Sequence, residues 1–241
     1  MIIRWLKPML AVVLSLNFSV AMAVVAEPHQ HAGDIQPWKS NGQAYTNGNL
    51  FEADFGDLSG GLYKTDDPGI DADTSQGAFG AGNWLQLQVL GTLQFWNGSS
   101  WGGTANGEYV TIDDALGEVT TISSSGVTNP FAVVGEFDAL GDIHEHLDFS
   151  IRNAANALGG SVGAYWIDLV LLETAPFSTS PLSTISAPFS IIFNRGLAEV
   201  DFENAVRAVT AVPVPGAVWL FGSALAGLVA AGRKRSLGVS A

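Results

Sequence analysis

The chain has 241 residues and a formal net charge of -13, with 23 acidic residues against 10 basic ones. It contains no cysteine, which excludes disulfide scaffolds, thiol catalysis and thiolate metal sites. Arg4, Lys7, Arg233, Lys234 and Arg235 lie near the two ends, so the span between Glu27 and Arg207 carries every acidic residue and only half of the basic ones; so acidic a middle argues against nucleic-acid binding.

Residues 1–26 read as a secretory signal peptide. Arg4 and Lys7 form a positive head, Met9 to Val20 supply a short apolar stretch, and Ala21-Met22-Ala23 and Val24-Val25-Ala26 are small-x-small cleavage candidates. The alternative, a lasting N-terminal anchor, asks for an apolar run of ~20 residues.

Residues 27–210 form the candidate extracytoplasmic domain. In Trp84–Trp96, Leu85, Leu87 and Val89 alternate with Gln86 and Gln88, the period of a strand. Asn97-Gly98 and Asn106-Gly107 mark turns. Further strands are expected over Glu108–Ile112, Glu118–Ile122, Phe131–Phe137, Ile143–Ile151, Ala164–Leu172 and Phe189–Phe193, with a loop over Thr174–Pro188. Short strands without helices between them predict an all-β domain, an antiparallel β-sandwich or jelly roll. One short C-terminal helix is expected to cover a sheet edge or end, because Ala198, Phe202, Ala205, Val206 and Val209 share a helical face.

All four histidines fall in two His-x-His pairs, His29-Gln30-His31 and His144-Glu145-His146. Alternate residues of a strand face one side. A strand over Ile143–Ile151 would therefore present His144, His146, Asp148 and Ser150 together. Two neutral imidazoles and a carboxylate are a ligand set for Zn²⁺ or Cu²⁺. If the segment of His31 and Asp34 adds beside this strand, His31, Asp34, His144 and His146 make a three- or four-ligand metal site. The alternative is a set of solvated surface histidines. A second constellation, Asp66, Asp67, Asp71 and Asp73 around Pro68-Gly69, offers oxygens to a hard cation such as Ca²⁺, although its spacing is not that of an EF-hand; the alternative there is an acidic solvated turn.

Trp84, Trp96, Trp101, Trp166, Tyr109 and Tyr165 are candidates for stacking on sugar rings, or for the core. The chain lacks the Gly-x-Ser-x-Gly elbow, the His-Glu-x-x-His zinc motif and a phosphate-binding glycine loop, so the expectation is a protein that is not an enzyme.

The last 31 residues, 211–241, have their own grammar. Pro213-Val214-Pro215 breaks any helix, Gly216 to Gly232 is free of charge, and Arg233-Lys234-Arg235 follows at once. The run is long enough for a transmembrane helix, and the basic cluster places its C-terminal end in the cytoplasm. VPVPGAVWLFGSALAGL resembles the PEP-CTERM sorting signal of Gram-negative bacteria, with Pro-Val-Pro where that signal has Pro-Glu-Pro. The resemblance implies transient anchoring in the inner membrane, recognition by an exosortase-type enzyme, cleavage near the proline pair, and delivery to the cell surface or extracellular matrix. An ordinary single-span anchor is the alternative.

The order HQHAGDI, FEADFGDLSGGLYKTDDPGID, HEHLDFSI, GAYWIDLVLLE and APFSIIFNRGL resembles a group of secreted bacterial proteins of unassigned function, often carrying that same tail. Ala32 and Arg195 depart from the group's plainer pattern. The resemblance implies a link to zinc and ligands at His31, Asp34, His144 and His146. The expectation is thus an exported, surface- or matrix-sorted protein that binds zinc through paired histidines, or else a structural module of the matrix that binds exopolysaccharide.

Overall fold

The computed structural model describes residues 30–31, 33–56 and 61–210. The expected signal peptide over 1–26 and the sorting segment over 211–241, with Pro213, Val214, Pro215, Arg233, Lys234 and Arg235, lie outside the described residues. In chain order the elements are β1 (Gln30–His31), β2 (Pro37–Ser40), β3 (Gln43–Thr46), β4 (Leu50–Asp54), β5 (Lys64–Thr65), β6 (Ile70–Asp71), β7 (Trp84–Trp96), β8 (Trp101–Gly102), β9 (Tyr109–Asp113), β10 (Val119–Ser123), β11 (Gly126–Thr128), β12 (Phe131–Glu136), β13 (His144–Glu145), β14 (Asp148–Arg152), β15 (Gly163–Thr174), β16 (Phe189–Arg195) and α1 (Glu199–Thr210). The described chain is mostly β with one short helix. Among the described residues no helix is long and apolar enough to cross a membrane.

Seven strands form one sheet in the order β1-β4-β16-β15-β7-β12, with β8 paired to β7. Five form a second, β11-β10-β9-β14-β5, and two small pairs, β13-β6 and β2-β3, complete the set. The expectation of purely antiparallel pairing needs one correction: β4 runs parallel to both β16 and β1. Turn signals dictate antiparallel pairing only for strands joined by a tight turn. β4 and β16 are far apart in the chain, and no hairpin constrains their direction.

Both large sheets contribute to a single apolar core. Phe51, Leu85, Leu87, Tyr165, Leu169 and Phe193 of the larger sheet pack with Val110, Ile112, Ile122, Phe149 and Ile151 of the smaller. Tyr165, Leu85, Leu87, Val110, Ile112, Ile122 and Ile151 are wholly buried. Alternate residues of the larger sheet face the other way. Ala164 and Ile192 join Leu50, Trp96, Phe202, Ala205 and Val206 in a second cluster. The helix α1 thus lies on the outer face of the larger sheet, rather than on an edge, and the indole N–H of Trp101 donates to the Ala205 carbonyl at 3.0 Å. Acidic Glu199 and Asp201 in its first turn and Arg207 in its last suit the helix dipole.

Two strands depart from simple period-two reading. In β7, Gln86 is buried although alternation turns it away from the core. The loop after β15 folds over it, and its amide donates to Thr174 Oγ1 (2.9 Å) and the Ser178 carbonyl (2.8 Å). Further along β7, Gly91 takes φ +65° where pairing with β15 shifts register between Trp166 and Asp168; glycine adopts that conformation without the steric cost of a Cβ. The expected strand over Ile143–Ile151 is in fact two. β13 pairs with β6, and β14 pairs with β9 and β5; His146 and Leu147 lie between them.

Buried carboxylates pin the loops. Glu173 is 1% exposed and accepts hydrogen bonds from Lys39 Nζ (2.9 and 2.8 Å), the Gly80 N–H (2.7 Å) and the Asn83 amide (2.8 Å). Burial alone would push its carboxyl pKa up, but these donors and the Lys39 charge outweigh burial and hold it below the ordinary value. Glu108 has the same balance: burial raises it, while hydrogen bonds led by Ser161 and followed by Asn106 bring it below the ordinary value.

Candidate metal centre

Three short backbone stretches lie side by side at the candidate site. The Ile35 N–H donates to the Gly69 carbonyl (2.8 Å), and the Asp71 N–H donates to the Ile35 carbonyl (3.0 Å). On the other flank of β6, His144 is paired with Asp71 and Glu145 with Ile70. Ile35, Ile70 and Ile143 are buried in the main core, and this anchoring fixes the three stretches from below. Their polar neighbours in sequence, Asp34, Asp71 and His144, are left on the outer side.

These three converge. One ligand atom from each of Asp34, Asp71 and His144 lies within 4.8 Å of the others. The His144 Nδ1 is 3.3 Å from Asp71 Oδ1, with the imidazole side chain 61% exposed. A second group forms next to it: Asp66, Asp67 and His146 also place one ligand atom each within 4.8 Å of one another. The two imidazole rings meet edge to face with centroids 5.3 Å apart. In both groups the carboxylates are half-buried and the histidine exposed.

The turn that delivers Asp66 and Asp67 follows β5. The Asp67 N–H donates to Thr65 Oγ1 (3.1 Å), the Asp67–Pro68 bond is cis, and Thr65 itself is wholly buried. His146 is held by its own ring: Nδ1 lies 3.1 Å from the Asp66 carbonyl oxygen. A carbonyl can only accept, so this contact places a proton on Nδ1 and leaves Nε2 as the nitrogen able to ligate. This is the arrangement by which a backbone carbonyl orients a metal-binding histidine.

The residues singled out in the sequence fare differently. Asp34 and His144 come together as expected, but the partner that completes their group is Asp71, from the acidic run. His146 goes with Asp66 and Asp67 from that same run. The main chain of His31 pairs in β1 with Glu52 of β4; its side chain, like all of His29, lies outside the described residues. Asp73 serves its own turn, where its carboxylate accepts from the Ser75 N–H and Oγ and from the Gln76 amide. Those bonds hold its pKa below the ordinary value. Asp148, expected beside the histidines, bonds Lys64 Nζ at 3.0 Å, and Ser150 is wholly buried.

Gly69 is a member of the site that residue type alone does not reveal. In the sequence it figures only as half of a Pro-Gly turn. No φ in the left-handed region demands glycine there, yet a Cβ at this position would lie 2.6 Å from Asp34 Oδ1 and 2.5 and 2.7 Å from His146 Cε1 and Nε2. Nothing in the local sequence signals this, because Asp34 and His146 reach Gly69 from distant parts of the chain.

Two shallow clefts flank the histidine segment. One, of about 230 Å³, is lined by Glu136, Asp138, Asp142, Ile143, His144 and Glu145. The other, of about 250 Å³, includes Asp113, Asp114, Glu145, His146 and Asp148. Both have acidic walls, which favour cations and oppose anions.

The aromatic residues considered for sugar stacking are mostly engaged in the fold. Trp84, Trp96 and Tyr165 are buried. Trp101 packs between Trp96 and Trp166 at 5.6 and 5.4 Å. Tyr109 is half-buried and donates to Asn156 Oδ1 at 2.7 Å. No protein-family model matches this chain, and no curated protein matches it.

Proposed function

We propose that this is an exported, non-catalytic protein that binds a divalent transition metal, zinc foremost, at the cluster of His144, His146 and Asp34 with Asp66, Asp67 and Asp71. The observation that carries the reading is the convergence of both imidazoles with carboxylates from two distant stretches of chain. Each group offers nitrogen as well as oxygen. That mixture suits Zn²⁺ and its neighbours better than Ca²⁺, which takes 6–8 oxygen ligands. His31 remains a proposed further ligand. Calcium at Asp66, Asp67, Asp71 and Asp73 remains the weaker proposal, since Asp73 is turned to Ser75 and Gln76. Export, an exosortase-type partner, passage through the inner membrane and delivery to the surface or matrix rest on the grammar of the two ends of the sequence. The architecture we propose is a two-sheet sandwich, supported by the shared core of the two large sheets.

The test is metal content. The purified protein, dialysed against Zn²⁺ and then metal-free buffer, should retain metal by mass spectrometry, and a His144→Ala/His146→Ala variant should lose it. Equal content in the two, or none in either, rejects the metal reading. Binding should also weaken on mild acidification, because protons compete for imidazole nitrogen.

A second reading, a matrix module that binds exopolysaccharide, is favoured by one observation. Trp38 stacks on Tyr45 with ring centroids 5.5 Å apart, beside a cleft of about 400 Å³ lined by Tyr45, Thr46, Asn47, Asn49 and Pro188. Aromatic faces beside polar groups suit sugar rings. Retention on the exopolysaccharide that is lost in Trp38→Ala but kept in the histidine variant would favour it.

A further inference from the structure

We propose that the two His/Asp groups form one two-ion centre, a pair of divalent transition-metal sites joined across Gly69, with Asp34 and His146 facing each other over the junction. This rests on the metal-binding reading above and specifies it. Three observations carry it. First, the groups are separate but adjacent. Each holds one imidazole and two carboxylates whose ligand atoms lie within 4.8 Å of one another, and the two imidazole rings are 5.3 Å apart. Rings in contact put the two groups side by side, as a two-metal site with ions roughly 3.5–4 Å apart requires.

Second, the junction is kept open by the absence of a side chain. The Cβ that Gly69 lacks would lie within 2.7 Å of both Asp34 Oδ1 and His146 Nε2, closer than real Cβ atoms approach other groups. Its backbone conformation does not require glycine; the space a Cβ would take is where the ends of the Asp34 and His146 side chains now lie, a ligand of one group beside a ligand of the other.

Third, the histidine at the junction is oriented for it. With Nδ1 at 3.1 Å from the Asp66 carbonyl, the nitrogen left to ligate is Nε2, which lies, like Asp34 Oδ1, beside Gly69. The Asp34 side is tied to Gly69 by the bond from the Ile35 N–H to the Gly69 carbonyl. Two cations at this junction would be set among four carboxylates, Asp34, Asp66, Asp67 and Asp71, which match their combined charge of four.

Manganese makes adjacency readable, because two neighbouring Mn²⁺ ions couple their spins. The full chain titrated with Mn²⁺, and in parallel with Zn²⁺, should take two equivalents and give the paramagnetic-resonance signal of a coupled Mn²⁺ pair. His144→Ala and His146→Ala should each lose one equivalent and the coupling. Gly69→Ala should weaken the second equivalent by at least about tenfold and abolish the coupling, with an unchanged far-ultraviolet dichroism spectrum. If Gly69→Ala does not fold, the two histidine variants decide. One equivalent, two uncoupled equivalents, or a coupled pair that survives Gly69→Ala would each overturn the joined centre while leaving metal binding standing. No bound metal at all would remove both.

Discussion

The molecule holds carboxylates in two settings and treats them in opposite ways. At Glu173 the charge is buried, and the fold itself answers it with Lys39, Asn83 and the Gly80 N–H. Around Gly69, four aspartates and two histidines gather near the surface, and the partners include imidazoles that ligate as readily as they pair. Lys64, on the adjoining strand, is engaged with Asp148. A carboxylate completed from within is part of the scaffold. A cluster of carboxylates and imidazoles facing solvent is suited to completion from outside. The difference lies in burial and in the sign of the nearest donors, not in residue type.

That contrast can be broken first at its interior end. Glu173→Ala should cost about 3 kcal/mol, since it leaves Lys39 and the Asn83 and Gly80 donors without their acceptor. Denaturant unfolding reads the loss, and metal uptake should stay at the wild-type level. A variant as stable as wild type would mean that Glu173 is not a pin.

Next comes the exposed end. Without metal, His144→Ala/His146→Ala should lie within about 0.5 kcal/mol of wild type, as expected for exposed positions. With metal at 100 times its Kd, wild type alone should gain about 2.7 kcal/mol. A thermal melt with and without Zn²⁺ measures both, and a variant that also gains would place the metal elsewhere.

Acid distinguishes the two regions again. The Glu173 carboxyl is held below its ordinary value in the folded state. Its contribution is therefore complete above the unfolded-state value, about 4.3, and fades as pH falls through the folded-state value. Stability of wild type should drop over that range, and Glu173→Gln should show a flatter profile. Parallel profiles would assign the acid sensitivity to other groups. The smallest expected effect is at α1: Trp101→Phe removes the bond to the Ala205 carbonyl at a cost of about 1 kcal/mol, seen as earlier amide exchange in Glu199–Thr210 with the core strands unchanged.

Much of the fold was legible in local sequence. The limits of β7, β9, β10, β12, β15 and β16 fall within a few residues of the expected strands, because alternation and turn residues act over short range. The face of α1 was likewise readable from Phe202, Ala205 and Val206. The break at His146–Leu147 was not. It depends on β13 pairing with β6 and β14 with β9, a choice made by distant strands. The site shows the same division. His144, His146, Asp34 and the acidic run stand out by residue type, but residue type does not show that each histidine meets aspartates of that run. Gly69 carries no local signal, because Asp34 and His146 reach it from elsewhere in the chain.

By itself, then, the sequence determined the inventory: an acidic, cysteine-free domain of short strands and one amphipathic helix, with histidines in pairs and aspartates around a Pro-Gly turn. These are properties of residues and near neighbours, set by side-chain chemistry and by the periods of strand and helix. Only the tertiary structure decided the direction of β4, the face on which α1 lies, and the meeting of Asp34, Asp71 and His144 with Asp66, Asp67 and His146. The first two follow from the pairing of β4 with β16 and from the packing of Phe202, Ala205 and Val206 on Ala164 and Ile192, the third from the anchoring of Ile35, Ile70 and Ile143 in the main core, and contacts across such sequence distances leave no local trace.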